Sequence, residues 1–249
     1  MVAQHAAWLL PLADAALALL LAPQCAACGG ALEHPTRGTV CPACWTSIAP
    51  VALPACDVCG HPLPAWDRVG LALARCRRCR RRPQVVVRAR AIGIYDGALR
   101  SIIQALKYDR RRSLARPLAA LMRDRGAGVL DGADFVVPVP LHGARRRQRG
   151  FNQAADLAVQ IGLPVAPVLT RIRATAAQAH VPASRRHANV RGAFAVSRHA
   201  TALKGTVVVL IDDVSTTGAT LDACARTLLE VGVREVRALT AARAVTSRR

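Results

Sequence analysis

Residues 206 to 221 read Thr-Val-Val-Val-Leu-Ile-Asp-Asp-Val-Ser-Thr-Thr-Gly-Ala-Thr-Leu. Val207 to Ile211 is an unbroken β-branched and aliphatic run, the pattern of a parallel strand covered on both faces. Asp212 and Asp213 follow at its carboxyl end, where open α/β sheets hold their ligands. Two adjacent carboxylates can accept from the vicinal hydroxyls of a ribose, and one can help hold a divalent cation. The segment Ser215, Thr216, Thr217, Gly218, Ala219, Thr220 then offers small residues, hydroxyls and one glycine at the start of a helix. Backbone N–H groups converging there form an anion site that suits a 5′-phosphate. An ordinary strand–turn–helix with threonine caps would account for the turn but not for the acids. Burying two neighbouring carboxylates without cations or donors costs several kcal/mol.

Working outward, strands and helices alternate from residue 85 on. Val85 to Tyr95 reads as a strand, with Arg88 and Arg90 marking a sheet edge. Asp96 caps a helix whose Leu99, Ile102, Ile103 and Leu106 fall at i, i+3, i+4, i+7. A second helix starts near Ser113, and Phe135 to Val139 forms a short strand. A helix with Ala154, Leu157, Ala158 and Ile161 in register stops at Gly162. After the acidic strand comes a helix with Leu221, Cys224, Ala225 and Leu228, closed by Gly232, and a last strand over Val236 to Val245. This order predicts an α/β fold, a parallel sheet with helices on both faces. Arg171 to Arg191 shows neither periodicity and reads as a lid that would bring Arg185, Arg186 or Arg191 to a pyrophosphate.

The amino-terminal part is of another kind. Eight of nine cysteines fall into four Cys-x-x-Cys pairs: Cys25 with Cys28, Cys41 with Cys44, Cys56 with Cys59, Cys76 with Cys79. Two such knuckles complete a tetrahedral thiolate site, so four knuckles predict two closed, structural zinc sites. The simplest pairing puts Cys25, Cys28, Cys41 and Cys44 on one ion and Cys56, Cys59, Cys76 and Cys79 on the other. Little else between residues 24 and 83 could form a core, so zinc must supply much of the folding free energy, on the order of 10 kcal/mol per site. His34 and His61 lie near the knuckles, but eight thiolates already fill both sites. Cys224 sits in a helical pattern and reads as a small buried apolar residue. A disulfide framework does not fit a chain with no secretion signal.

The run Trp8 to Ala22 is apolar, broken by Pro11 and Asp14, and too short to span a bilayer. It lacks a basic n-region and an Ala-x-Ala site, so an amphipathic helix and a cytoplasmic protein without a membrane span are expected. The expected segments are thus a helix over 1–23, a double zinc ribbon over 24–83 and the α/β domain over 84–249. Formal charge is +20, with 33 arginines against two lysines. Two filled four-thiolate sites lower it to about +16. Arginine forks suit phosphate, so the basic balance favours polyphosphate or nucleic-acid partners, with a solvated basic surface as the alternative for about half of the arginines.

Several strings now coincide. The acidic strand and its loop resemble the phosphoribosyl pyrophosphate (PRPP) signature of type I phosphoribosyltransferases. Tyr95-Asp96-Gly97 leads to Leu106-Lys107-Tyr108, and Pro138-Val139-Pro140-Leu141 to Arg147 and Arg149-Gly150-Phe151-Asn152-Gln153. Leu169-Thr170-Arg171 precedes Thr175, Gln178, Arg186, Asn189-Val190 and Gly192-Ala193-Phe194. With the double zinc ribbon, the chain resembles the ComF family from about Leu20 to Arg243. The resemblance implies a type I phosphoribosyltransferase fold and, for relatives in transformable bacteria, uptake and handling of single-stranded DNA. It also implies that Asp212 and Asp213 hold the ribose hydroxyls, Thr216 to Thr220 the 5′-phosphate, and Arg145, Arg147 and Arg149 face the pyrophosphate. No motif defines an acceptor pocket.

Three functions follow as expectations. The first is a phosphoribosyltransferase using PRPP with Mg²⁺. The second is a nucleic-acid-binding module contacting single-stranded DNA through Arg77 to Arg82 and Arg145 to Arg149. The third is a zinc-ribbon adaptor for a competence helicase or other uptake protein, with an inert sheet. The third leaves two acids and a complete phosphate loop unexplained. The combined expectation is a ComF-type protein that binds PRPP–Mg and acts in DNA uptake.

Overall fold

A computed structural model of the chain describes residues 9–64, 74–174 and 186–245. Trp8 of the apolar run, and Thr175, Gln178 and Arg185 of the expected lid, lie outside the described residues. By contact the chain forms two compact units, Met1–Ala49 with Asp96–Leu114, and Pro50–Tyr95 with Ala115–Arg249. This partition runs across the sequence segments and puts one four-cysteine cluster in each unit.

The first unit carries helices α1 (Leu9–Leu21), α2 (Pro42–Thr46) and, from later in the chain, α4 (Gly97–Tyr108). Asp14 of α1 is buried, and its carboxylate accepts from the Thr36 N–H at 2.8 Å and meets His34 Nδ1 at 3.2 Å. Those two bonds fasten α1 to the loop between the knuckles. Asp96 caps α4 by accepting from the Gly97 N–H at 2.8 Å. Leu99, Ile102, Ile103 and Leu106 are all buried, so the helical spacing was a correct guide to its inward face.

The second unit is built on a four-stranded parallel sheet. It comprises β1 (Ala89–Ile94), β2 (Phe135–Pro138), β5 (Val207–Ser215) and β6 (Glu235–Arg243), in the order β1-β6-β5-β2. Burial on both faces explains the continuous apolar run Val207–Ile211: all five residues are 3% exposed or less. Helices α5 (Ala115–Leu130) and α7 (Gln153–Ala158) pack on one side of this sheet. On the other, Leu221, Cys224 and Leu228 of α9 (Ala219–Leu229) meet Val208, Leu210, Val236 and Ala238. An antiparallel pair, β3 (Leu169–Arg171) and β4 (Phe194–Val196), joins this second layer with α8 (Arg186–Val190). The segment expected to be irregular over Arg171 to Arg191 therefore contains the end of β3 and all of α8. Among the described residues, no helix is long and apolar enough to cross a membrane.

As its arginines suggested, β1 is an edge. It is not left open. The Ala89 N–H donates to Val58 O at 2.6 Å, and Arg90 Nη1 donates to Asp57 O at 2.9 Å. Gly60 lies so close that a Cβ there would stand 2.7 Å from Ala89 O, and its φ of +65° is itself a glycine conformation. The Cys56–Cys59 knuckle thus covers the start of the sheet edge that would otherwise be free to pair with another chain.

Candidate functional site

Both four-cysteine clusters form as the spacing predicts. In each, the four Sγ atoms lie within 4.8 Å of one another. Contacts of 3.9 Å (Cys25–Cys44), 4.0 Å (Cys28–Cys41) and 3.7 Å (Cys59–Cys76) match the edge of a tetrahedron. A Zn–S bond of about 2.3 Å makes that edge about 3.8 Å. The donor set therefore fits zinc. Four sulfurs this close cannot all ionise unaided. Burial, then the neighbouring Cys41 sulfur, pushes the Cys44 thiol up, and bonding to Cys56, Cys59 and Cys76 pushes Cys79 up. A dication removes that conflict by stabilising every thiolate together. With four protein ligands each, the sites leave no open position for chemistry. Neither His34 nor His61 belongs to a cluster.

The acidic strand gives the second site. β5 runs on through both aspartates to Ser215, and its ladder with β6 continues to the pair Ser215–Arg243. Its ladder with β2 stops earlier, at Ile211–Pro138. The aspartates therefore pass the end of one neighbour while the other still holds them, which opens a crevice on the β2 side. Strand alternation aims the two side chains to opposite faces. Asp212 is half-buried, and its Oδ1 accepts from the Asp213 N–H at 2.8 Å. Asp213 is only 4% exposed.

Behind them the chain turns sharply. Gly218 takes φ +80° and caps α9, and Thr217 Oγ1 accepts from the Ala219 N–H at 3.4 Å. Ser215, Thr217 and Ala219 are buried while Thr216, Gly218 and Thr220 are half-buried. Strand end, αL glycine and the start of α9 thus meet within one turn, and the first N–H groups of a helix lack intrahelical partners.

On the far side of the crevice, β2 leads through Val139 into α6 (Gly143–Arg149), which ends at Gly150 with φ +84°. Asn152 ties this loop down: its side-chain amide donates to Val139 O at 3.1 Å, and its Oδ1 accepts from the Ala154 N–H at 3.2 Å. Arg147 is exposed, whereas Arg145 and Arg149 are half-buried. Arg149 Nη1 donates to Gln153 Oε1 at 2.6 Å.

Comparison with known proteins then decides the family. A double zinc ribbon domain model matches residues 16–80, and a phosphoribosyl transferase domain model matches residues 147–249. DNA utilization protein YhgH of Salmonella typhimurium strain LT2 is 34% identical over 219 residues, covering 78% of this chain and 93% of that protein. The chain belongs to the ComF family. Competence protein F of Haemophilus influenzae is 29% identical over 89% of this chain and 97% of its own length. Competence protein ComFC of Bacillus subtilis strain 168 is 27% identical over 78% of this chain and 79% of its own. Among solved structures, an allosteric regulatory enzyme of purine biosynthesis overlaps 52% of this chain and 26% of its own at 23% identity and a TM-score of 0.35.

In this ComF-family chain three arginines lie near the acids and the loop that the acid and loop strings alone did not reveal. Arg171, at the end of β3, is paired in parallel with His142 at the cap of α6, and its guanidinium lies 5.5 Å above the Phe194 ring. Burial, and then the charge of Arg145, lowers its pKa, while Cys224 and Asp212 act the other way. Arg171, Arg145 and Asp212 are therefore electrostatic neighbours around the crevice. The second is Arg243, the last residue of β6 and 2% exposed, whose Nη1 lies 3.4 Å from Ser215 Oγ. Its place in an apolar final strand gave no sign that its side chain turns to the loop. Arg78, expected within the Arg77 to Arg82 cluster to contact single-stranded DNA, is half-buried and reaches Thr216 O at 3.5 Å.

Proposed function

We propose that this ComF-family protein binds PRPP together with Mg²⁺ in the crevice beside Asp212 and Asp213, and that it serves DNA uptake. The observation that carries the reading is the junction itself. A nearly buried carboxylate, Asp213, stands two residues before a turn whose αL glycine opens a helix. The carboxylates suit ribose hydroxyls, and the loop Ser215, Thr216, Thr217, Gly218, Ala219, Thr220 suits the 5′-phosphate. Arg145, Arg147 and Arg149 of α6, with Arg171 opposite, supply positive charge where a pyrophosphate would lie.

Bound Mg²⁺ supplies charge neutralisation on the pyrophosphate. If a nitrogen acceptor enters, a bond to C1 of the ribose forms as the bond from C1 to the pyrophosphate oxygen breaks, the electron pair leaves with pyrophosphate, and the acceptor nitrogen gives up its proton to solvent. No protein nucleophile is required. The chain's part is to hold the ribose, fix the 5′-phosphate and place guanidinium groups at the leaving oxygen. The relatives' names, DNA utilization and competence, support the cellular role.

Calorimetry with PRPP–Mg on the zinc-loaded protein tests the reading. Asp213→Asn is expected to weaken binding at least about tenfold, roughly 1.4 kcal/mol. An unchanged affinity would remove the ribose assignment. Pyrophosphate release against a panel of bases, with and without single-stranded DNA, tests turnover separately.

A further inference from the structure

The second four-cysteine cluster and the phosphate loop meet through two arginines. Arg78 Nη2 lies 3.7 Å from Cys59 Sγ, and its Nη1 lies 3.5 Å from Thr216 O. Arg243 repeats the pattern from the opposite direction. Its Nη2 lies 3.6 Å from Cys59 Sγ, and its Nη1 reaches Cys59 O at 2.7 Å and Ser215 Oγ at 3.4 Å. Each guanidinium thus holds one zinc ligand with one nitrogen and the first residues of the phosphate loop with the other. Arg78 stands on α3 (Arg77–Arg81), whose N-cap is the ligand Cys76 and which contains the ligand Cys79.

We propose that Arg78 and Arg243 are positioning residues, through which the metal state of the Cys56–Cys59–Cys76–Cys79 site sets the shape of the phosphate loop. This rests on the reading of that loop as a phosphate site.

Charge explains why the arrangement needs the metal. Zinc with four thiolates carries about two negative charges, and ligand sulfurs of this kind take hydrogen bonds from the surrounding shell, which in turn orients them. Arg243 is 2% exposed, and its described partners are Cys59 and Ser215. A buried guanidinium without a counter-charge is costly, so the filled thiolate site is what permits this one. The arms are short and rigid. Arg243 is held in the β5–β6 ladder directly opposite Ser215. The knuckle bearing Cys59 is pinned to β1 through the Ala89 N–H to Val58 O bond. Between them lies a small cleft lined by Cys59, Gln84, Ser215, Gly218 and Arg243. The Arg78 and Arg243 Nε atoms are also buried without a hydrogen-bond partner among the described residues, so both guanidinium groups depend on their terminal nitrogens for satisfaction.

Coupling of this kind is reciprocal: if zinc in this site favours the anion-binding loop, an anion in the loop must favour zinc. The test uses the full-length protein carrying two zinc ions, with Arg78→Ala and Arg243→Lys as variants; lysine keeps the charge but has no fork to span both partners. Three quantities are measured: amide hydrogen exchange over residues 215–220, the rate at which a chelator removes zinc, and calorimetric affinity for ribose 5-phosphate.

Both variants are expected to hold two zinc ions at saturation, to lose one of them about tenfold faster, and to exchange the loop amides faster than wild type. Ribose 5-phosphate should slow loss of that ion in wild type and not in the variants. Loop exchange that stays at the wild-type rate in both variants, or that ignores removal of the zinc, would overturn the coupling. Wild-type protein that shows the exchange coupling but does not bind ribose 5-phosphate would instead overturn the phosphate reading and leave the mechanical link standing. Should Arg243→Lys fail to accumulate, the half-buried Arg78→Ala decides alone.

Discussion

Gly218 shows how one backbone angle can be separated from the space around it. An added Cβ would meet only Gln84 Oε1 at 3.5 Å, an ordinary contact, so there is room for alanine. The obstacle is φ +80°, which an L-residue adopts at a cost of about 1–2 kcal/mol. Gly218→Ala should therefore lower the thermal midpoint by a few degrees, about 2–4 °C per kcal/mol for a chain of this size. The same strain sits at the cap of α9, so ribose 5-phosphate affinity should fall as well. A lowered midpoint with unchanged affinity would place the anion elsewhere. This position was legible in sequence because only glycine makes such a turn unremarkable. Arg243 was not, because nothing in the string Leu-Thr-Ala-Ala-Arg says that a strand-end arginine turns towards a cysteine 184 positions away. Local strings report local geometry; a contact set by the ladder register and by a metal knuckle has no local signature.

At the scale of elements, sequence patterning located α4, α9 and the acidic strand well, because the two helices repeat apolar residues at one helical period and the strand is an unbroken apolar run. It did worse where elements are short. α6, α8, β3 and β4 span only three to seven residues each, too few for a period of 3.6 or 2 to stand out. The strand expected from Val85 begins only at Ala89, because Val85 is drawn off by Asp222 of α9, whose Oδ1 accepts from its N–H at 2.7 Å. Asp222 is 3% exposed and also receives Arg226 Nη2 at 3.1 Å. Asp222→Ala leaves a part-buried N–H without its acceptor, so a loss of about 1–3 kcal/mol in denaturant unfolding is expected. In the first unit, α1 depends on Asp14. The Thr36 N–H is the main cause that holds its carboxyl below the usual carboxylate range, with His34 adding to it. Because the folded carboxyl is the more acidic one, its contribution is complete above the unfolded value and disappears as pH falls through the folded value. Acid titration of tryptophan fluorescence, with Trp45 in α2 as reporter, should show that loss in wild type. Asp14→Asn should abolish this acid step while starting from a less stable unit at neutral pH. An acid transition identical in both would assign it to another group, the zinc-binding thiolates beside Trp45 included.

For the whole molecule, charge and aromatic placement decide how a nucleic acid could be held. The chain carries +20 by formal count, and of its few aromatic residues Phe151 and Phe194 are buried in the core while Tyr108 is exposed. Base stacking needs exposed rings, and a single such ring among the described residues makes no stacking platform, so a strand of DNA would be gripped mainly by its phosphates. Not every arginine in the basic clusters is available for that. Arg78 is engaged with Cys59 and Thr216, whereas Arg77, Arg80, Arg81 and Arg82 are exposed, as are Arg146 and Arg147. Binding of single-stranded DNA should accordingly weaken steeply with salt, by roughly 0.7 log units per log unit of salt for each phosphate neutralised. Replacing Arg80 and Arg81 together by alanine should flatten that slope by about 1.4, and with little dependence on base sequence. Arg78→Ala should not follow this rule, since its effect would pass through the zinc site and the loop. Fluorescence anisotropy with a labelled oligonucleotide over a salt series separates these cases. A slope that does not change in the double variant would show that α3 faces no phosphate, and that the excess of arginine serves the small-molecule crevice.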